Sequence, residues 1–136
     1  MPAGYSKKTL VEKLGIKEGS RVIFLNSPSH YDKILGKLPP NVMRQQRLQA
    51  SLDFIHYFTK EKDELKKNFP KLKKALTQNG LLWISWRKGS SGITTDLNEN
   101  IVREIGLKND MVDVKVCAIN EIWSGLKFVI RVKDRK

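Results

Sequence analysis

The alternation of apolar strand-like runs with helical stretches constrains the fold of this chain most. RVIFLN at 21–26 and GLLWISW at 80–86 are compact apolar runs rich in residues that favour strands, which is typical of strands buried on both faces. LDFIHYFT at 52–59 predicts a further strand, and VMRQQRL at 42–48 predicts a weak, partly exposed one. Near the end of the chain, MVDVKVCAI and GLKFVIRV predict two strands that a short connection pairs antiparallel.

Helical patterns separate these strands, and they cover residues 6–15, 31–36, 60–80 and 97–106. Ser6 is expected to cap the first helix, and Pro70 to kink or divide the third. Asp96 and Glu99 have the spacing of a capping box at the start of the last helix. The alternation, closed by a hairpin, predicts an α/β fold: a three-layer Rossmann-like sandwich whose mostly parallel sheet ends in an antiparallel β-hairpin.

The size and composition of the chain exclude several classes of protein. Its 136 residues have the length of one domain, which we expect to span residues 1–136. The longest clean apolar run, LLWISW, is far shorter than the roughly 20 residues of a membrane span, and MPAGYSKKTL lacks the apolar part of a secretory signal. We therefore expect a cytoplasmic protein with no membrane contact. One cysteine, Cys117, and two histidines give little support for a metal site, and none is expected.

The net charge of +12 makes anionic partners attractive. Much of the excess lies between residues 60 and 80, where Leu65, Phe69, Leu72 and Leu76 recur at helical spacing and predict a buried stripe. The lysines off this stripe fit a solvated helix face. A nucleic-acid site using Lys67, Lys71 and Lys74 is the alternative, although no aromatic residues interleave with these lysines to stack bases.

Three phrases resemble class I S-adenosylmethionine-dependent methyltransferases. LGIKEGSRVIFLN is similar to the entry to that family's first strand, SLDFIHYF to its fourth strand, and LKKALTQNGLLWIS to its fifth strand with the preceding helix. The resemblance implies a methyltransferase-like fold with one strand–helix unit missing, because the family's third strand has no room between Arg47 and Leu52.

The parts of that family that hold the cofactor differ in this chain. The turn NSPSHY has no glycine, and Pro28 lacks an N–H donor. The second strand offers Arg44 and Arg47 where the family has an acidic residue that binds the ribose. Ordinary cofactor binding, and hence a resident cofactor, is therefore not expected.

A closer resemblance covers nearly the whole chain. GYSKKTLVEKLGI, WRKGSSGITTDL and VDVKVCAINEIWSGLKF are similar to a family of small bacterial proteins of unknown function that has this trimmed methyltransferase-like architecture. The resemblance implies the fold and leaves the function open.

Ligands of such sheets bind outside the carboxyl ends of the strands, which selects residues 26–31, 87–96, 119–125 and the region after Phe58. The glycines of KGSSG free backbone N–H groups for an anion, although the residues that follow could simply cap the next helix. The candidate ligand-binding residues are Asn26, His30, Tyr31, Lys88, Ser90, Ser91, Thr95, Asp96, Lys115, Glu121 and Trp123.

Two of these candidates interrupt the apolar pattern of residues 112–130. In residues 112–119 the even-numbered positions form an apolar face, and Lys115 lies on the other face. If helices cover that other face, the Lys115 ammonium needs a polar partner. Otherwise the strand lies at an edge of the sheet and Lys115 meets solvent. Trp123 either covers the end of the core or forms a wall of a ligand pocket. Cys117 is expected to be an inert thiol, and His56 a hydrogen-bonded core residue.

The preferred interpretation is a non-catalytic, methyltransferase-like module that binds a small anionic ligand or a protein partner at the carboxyl end of its sheet. One alternative is a divergent S-adenosylmethionine-dependent methyltransferase that uses Glu121, Lys115 and the 88–92 loop around a re-sited cofactor. The other is a nucleic-acid-binding protein that uses the lysine-rich helix.

Overall fold

The computed structural model of the chain describes residues 8–92 and 94–136, except for the side chain of Ser90. Its helices are α1 (Leu10–Leu14), α2 (Tyr31–Leu35), α3 (Lys62–Ala75) and α4 (Glu99–Lys108). Its strands are β1 (Arg21–Leu25), β2 (Met43–Arg44), β3 (Leu52–Phe58), β4 (Leu76–Arg87), β5 (Met111–Ala118) and β6 (Trp123–Ile130). None of the helices in this described part is long and apolar enough to cross a membrane.

The six strands form one mixed sheet in the order β2-β1-β3-β4-β6-β5. The neighbours among β1 to β4 pair in parallel, whereas β6 is antiparallel to both β4 and β5. The predicted α/β class, with a mostly parallel sheet and an antiparallel hairpin, is confirmed. Because the chain moves outward from β1 to β2 and then returns to β3 on the other side of β1, the strand order reverses between β1 and β3.

Helices cover both faces of the sheet, and an apolar core fills each interface. Under α3 and α4 the core contains Phe69, Leu72, Val102 and Phe128 among its members. The core under α1 and α2 is built around Trp83, which is fully buried and donates its indole N–H to the carbonyl of Leu14 at 2.8 Å. The sequence folds this way because its central strands are apolar on both sides.

The starts and continuity of two helices are as follows. Thr9 caps α1 through a capping box with Glu12, and the expected cap Ser6 lies outside the described residues. Pro70 does not divide α3, because Pro70 is exposed while the stripe from Leu65 to Leu72 anchors the helix on both sides of it.

Two further boundaries differ from the predictions. Asn98 caps α4 by accepting the N–H of Ile101 at 2.9 Å, so Asp96 is not the cap expected from its spacing to Glu99. Leu76 is buried as predicted, but as the first residue of β4 and not as the last of the helical stripe.

Strand β5 is the exposed edge of the sheet. Val114 and Val116 are 52% and 50% exposed. The prediction that the even-numbered, apolar face of this strand packs in the core is therefore wrong. The physical reason is the edge position together with a register shift between Asp113 and Lys115. Lys115 is exposed and donates to the carbonyl of Lys13 at 3.4 Å, which matches the solvent-facing alternative.

Candidate functional site

Two adjoining cavities open at the carboxyl end of the sheet, where the strand order reverses. Their volumes are about 330 Å³ and about 270 Å³, and both contain Asn26, Lys60 and Trp123 in their walls. The first is also lined by Ser27, Pro28, Ser29, His30, Arg87 and Ile122. The second is also lined by Phe58 and Glu64. We call the two cavities together the switch-point cleft.

The turn after β1 forms one wall of the cleft without any glycine. Asn26 adopts a left-handed backbone with φ of 57°, a conformation that asparagine tolerates better than most residues. Its amide Nδ2 donates to the carbonyl of Phe58 at 3.3 Å, which ties the turn to the end of β3. The N–H of Tyr31 donates to the carbonyl of Pro28 at 2.9 Å. Side-chain and backbone hydrogen bonds therefore fix this turn.

The opposite rim is the connection between β5 and β6, which Asn120 organises. The Oδ1 atom of Asn120 accepts the backbone N–H groups of Ile122 and Trp123, each at 2.8 Å. Its Nδ2 atom lies 2.7 Å from Nε2 of His30. Because Oδ1 already accepts two N–H groups, the amide Nδ2 is the donor in its contact with His30. This contact joins the two rims of the cleft.

Replacing Asn120 by alanine is expected to lower the free energy of unfolding by about 1 to 2 kcal/mol, because two backbone donors and His30 lose their partner. Urea denaturation at pH 7 measures the change. Asn79→Ala is the matched control, since Asn79 is exposed and its side chain makes no hydrogen bond within the described residues. An effect of Asn120→Ala no larger than that of the control would contradict the assigned role.

Arg87 and Trp123 face each other across the ends of β4 and β6. The guanidinium carbon of Arg87 lies 5.6 Å from the indole centroid of Trp123. Trp123 is 5% exposed and packs edge-to-face on Phe58 at 5.1 Å, so it both closes the core and walls the cleft. Within the described residues, Nε of Arg87 is a buried side-chain nitrogen with no hydrogen-bond partner. The cleft therefore contains a buried donor on a cation, a feature that suits an anionic group.

Tyr31, His56 and Ser85 form a buried chain of hydrogen bonds beneath the cleft. The Tyr31 hydroxyl lies 2.7 Å from Nδ1 of His56, and Nε2 of His56 lies 2.7 Å from the Ser85 hydroxyl. Burial lowers the pKa of His56 to about 3 and raises the pKa of Tyr31, so both are neutral. Because all three side chains are almost inaccessible, Tyr31 supports the cleft from the core and does not line it.

The described residues of the KGSSG loop hydrogen-bond to one another, and none of their described side chains lines the cleft. The N–H groups of Ser91 and Gly92 donate to the carbonyls of Lys88 and Gly89 at 3.1 and 3.3 Å. The N–H of Lys88 donates to the carbonyl of Ile122 at 2.8 Å. These three donors are thus engaged within the protein. The side chain of Ser90 lies outside the described part.

Thr95 and Asp96 contact the segment that carries Lys60. The hydroxyl of Thr95 donates to the carbonyl of Lys60 at 2.9 Å, and Oδ1 of Asp96 accepts the N–H of Lys62 at 2.8 Å, at the start of α3. They position a wall of the cleft without entering it. Glu121 is exposed on the β5–β6 connection, and neither it nor Lys115 lines the cleft.

The structure thus brings Asn26, His30 and Trp123 of the predicted candidates together in the cleft. Sequence reasoning missed Lys60, Glu64 and Asn120. Lys60 could have been predicted, because it follows β3, whose carboxyl end is one of the regions selected by the rule for parallel sheets. No local sequence pattern marks Asn120. Among residues 8–92 and 94–136, no three His, Cys, Asp or Glu side chains are grouped to hold a metal ion.

No protein-family model and no curated protein sequence matches this chain. Its fold is similar to that of solved methyltransferase structures. An S-adenosylmethionine-dependent methyltransferase from Aquifex aeolicus has a TM-score of 0.59 at 15% identity, over 90% of this chain and 88% of that one. A TehB-like S-adenosylmethionine-dependent methyltransferase from Corynebacterium glutamicum has a TM-score of 0.58 at 9% identity, over 95% of this chain and 91% of that one.

A third solved structure carries the cofactor. Magnesium protoporphyrin IX methyltransferase from Synechocystis, with bound S-adenosylmethionine, has a TM-score of 0.58 at 9% identity, over 90% of this chain and 74% of that one. At these identities the likeness concerns the fold alone. The chain has a methyltransferase-like Rossmann fold.

Proposed function

We propose that this chain is a divergent methyltransferase whose switch-point cleft binds S-adenosylmethionine. The observation that carries the proposal is the position of the cleft, at the reversal of strand order in a sheet of the methyltransferase type. Open α/β sheets bind their ligands at this point, and the combined volume of the two cavities is in the range of small-molecule sites. The predicted membership of a trimmed bacterial family stays a prediction and is compatible with this function.

The residues of the cleft fit both ends of this ligand, although not in the way of the family that the sequence resembles. The unpartnered Nε–H of Arg87 and the ammonium of Lys60 suit the amino-acid carboxylate. Trp123 and Phe58, although almost fully buried, contribute the apolar part of the wall of the second cavity, against which the adenine would pack. Glu64, a carboxylate in the wall of the second cavity, suits hydroxyl or ammonium groups.

The residues expected to hold the ribose in that family have no counterpart here. Arg44 at the end of β2 pairs with Asp32 at 3.0 Å and lies 4.7 Å from the ring centroid of Phe24, so its guanidinium is engaged within the protein. When bound, S-adenosylmethionine would supply an electrophilic methyl group. The chain's own residues would bind and orient the ligand, with Arg87 and Lys60 fixing its carboxylate end.

The second candidate is a non-catalytic module that binds a small anion in the same cleft. Arg87 and Lys60 favour it, because they supply cationic groups whether or not a nucleoside is present. The second strand has arginines where the methyltransferase family has the acidic residue that binds the ribose, and this also favours the anion-binding module. The two candidates differ in the ligand that they predict, and a protein partner at this surface would predict no small-molecule ligand.

Thermal unfolding with S-adenosylmethionine, S-adenosylhomocysteine, ATP and inorganic phosphate separates these candidates. A ligand at 100 times its Kd adds about 2.7 kcal/mol to the free energy of unfolding. Stabilisation by the two adenosyl compounds alone supports the first candidate, and stabilisation by the phosphates alone supports the second. If none of the four raises the melting temperature, both are wrong.

Arg87→Gln is expected to weaken binding of the active compound about tenfold or more, since a charge-assisted hydrogen bond is lost. Titration calorimetry measures the Kd. Arg47→Gln removes the same charge from an exposed arginine whose side chain forms no hydrogen bond, ion pair or ring contact in the described part, and it should leave the Kd unchanged. Equal effects of the two changes would point to general electrostatic attraction and not to a site at Arg87.

A further inference from the structure

Lysines from separate elements converge at the other end of the molecule, away from the switch-point cleft. A cavity of about 540 Å³ lies between the end of α3, the end of α4 and the last residues of the chain. Lys73 and Lys74 of α3 and Lys108 of α4 line it. Lys71 and Lys74 also line an adjacent cavity of about 340 Å³. Together with Lys67, these residues form what we call the amino-end lysine surface.

The charge of this surface is not neutralised within the protein. Among the residues that the structure describes, none of its five lysines forms an ion pair. The two carboxylates at the cavity, Asp110 and Asp134, both pair with Arg131, at 3.1 and 2.8 Å. The acidic groups here are therefore already engaged, and the lysines present a net positive field.

The spacing of the lysines suits a regular row of phosphates. Lys67, Lys71 and Lys74 are exposed on α3 at intervals of four and three residues, which puts them on one face of the helix. The row is about 10 Å long at about 1.5 Å per residue. One strand of a duplex carries a phosphate about every 3.4 Å of axis, so the row spans about three phosphates. Lys73 and Lys108 lie beside the row, in the wall of the cavity that Lys74 also lines.

Among the described residues that line these two cavities, none has an aromatic side chain on which an unpaired base could stack. Recognition of single strands depends on such stacking, whereas a duplex can be held through its phosphates alone. We propose that the amino-end lysine surface binds a nucleic-acid duplex through its phosphate backbone, without reading the sequence. This site is separate from the cleft, and it does not depend on what the cleft binds.

The test is fluorescence anisotropy with a labelled DNA duplex of mixed sequence at salt concentrations from about 50 to about 200 mM, a range over which counterion release changes the affinity strongly. The triple variant Lys71→Glu, Lys74→Glu, Lys108→Glu should bind about tenfold or more weakly than the native chain. Its slope of log affinity against log salt should fall by about 2 to 3, since three phosphate contacts are lost. The neutral variant Lys71→Gln, Lys74→Gln, Lys108→Gln should lower the slope similarly.

The control is Lys17→Glu, Lys33→Glu, Lys37→Glu, which changes the net charge equally at exposed lysines next to the α1 and α2 face. It should weaken binding by about threefold or less, because distant charges are screened. The proposal is overturned if the native chain does not bind duplex at low salt, if the control loses as much affinity as the triple variant, or if a single strand binds much more tightly than the duplex. Melting temperatures of all variants establish that they are folded.

Discussion

The free energy of unfolding of this chain is expected to fall by on the order of 4 kcal/mol between pH 7 and pH 3 through His56 alone. Burial lowers the pKa of His56 to about 3 in the folded protein, whereas an unfolded histidine titrates near 6.5. Between these values the unfolded chain binds a proton that the folded chain does not bind. The stability that His56 contributes is therefore complete above about pH 6.5 and is lost as the pH falls toward 3.

Urea denaturation at several pH values between 7 and 4 measures this slope. Carboxylates also titrate in this range, so the comparison is with His56→Gln, which keeps a donor and an acceptor but cannot take up the proton. Below pH 6, the free energy of unfolding of the variant should fall by about 1.4 kcal/mol less per pH unit than that of the native chain. A slope that is unchanged in His56→Gln would show that His56 is not the neutral core group described above.

Gly106→Ala is expected to lower the free energy of unfolding by about 2 to 3 kcal/mol, although alanine is the better helix former. Gly106 is buried in α4 against β6, and an added Cβ would overlap the ring of Phe128. That ring is fully buried and packs edge-to-face on Phe69 at 5.5 Å. It cannot move aside without shifting α3, so the helix has to move away from the sheet.

Gly89→Ala is the control for this change. An added Cβ at Gly89 would have no atom within 4 Å, and its backbone is not left-handed. It should leave the stability within about 0.5 kcal/mol of the native value. If urea denaturation found Gly106→Ala as stable as Gly89→Ala, the close packing of α4 on β6 would be wrong.

The fold was predictable because its central strands carry their own signal. RVIFL and LLWISW are apolar on both faces, and such runs form strands only where helices cover the sheet on both sides. The terminal hairpin followed from two strand patterns separated by a short connection. The faces of β5 were not predictable, because alternation alone cannot tell a covered face from an exposed edge, and the register shift after Asp113 has no marker in the sequence.

The position of the cleft was predictable, whereas most of its lining was not. The rule for parallel sheets selected the segments after β1, β3, β4 and β5, and Asn26, His30 and Trp123, which lie in two of these segments, line the cleft. Asp96 was assigned to the nearest helix because capping patterns are local. In the structure Asp96 instead accepts the backbone N–H of Lys62, the first residue of α3, which lies 34 positions away in the chain. Long-range contacts of this kind leave no periodicity to detect.

The polar residues on the uncovered edge strand β5 oppose the pairing of this strand with a second copy of the protein. An uncovered strand offers unpaired backbone groups to a strand of another molecule, and half-exposed valines beside them would make such pairing favourable. The register shift interrupts the regular spacing of those groups, and the Lys115 ammonium would have to lose its water before another strand could dock there. The charge that disrupts the apolar pattern of this strand therefore opposes aggregation.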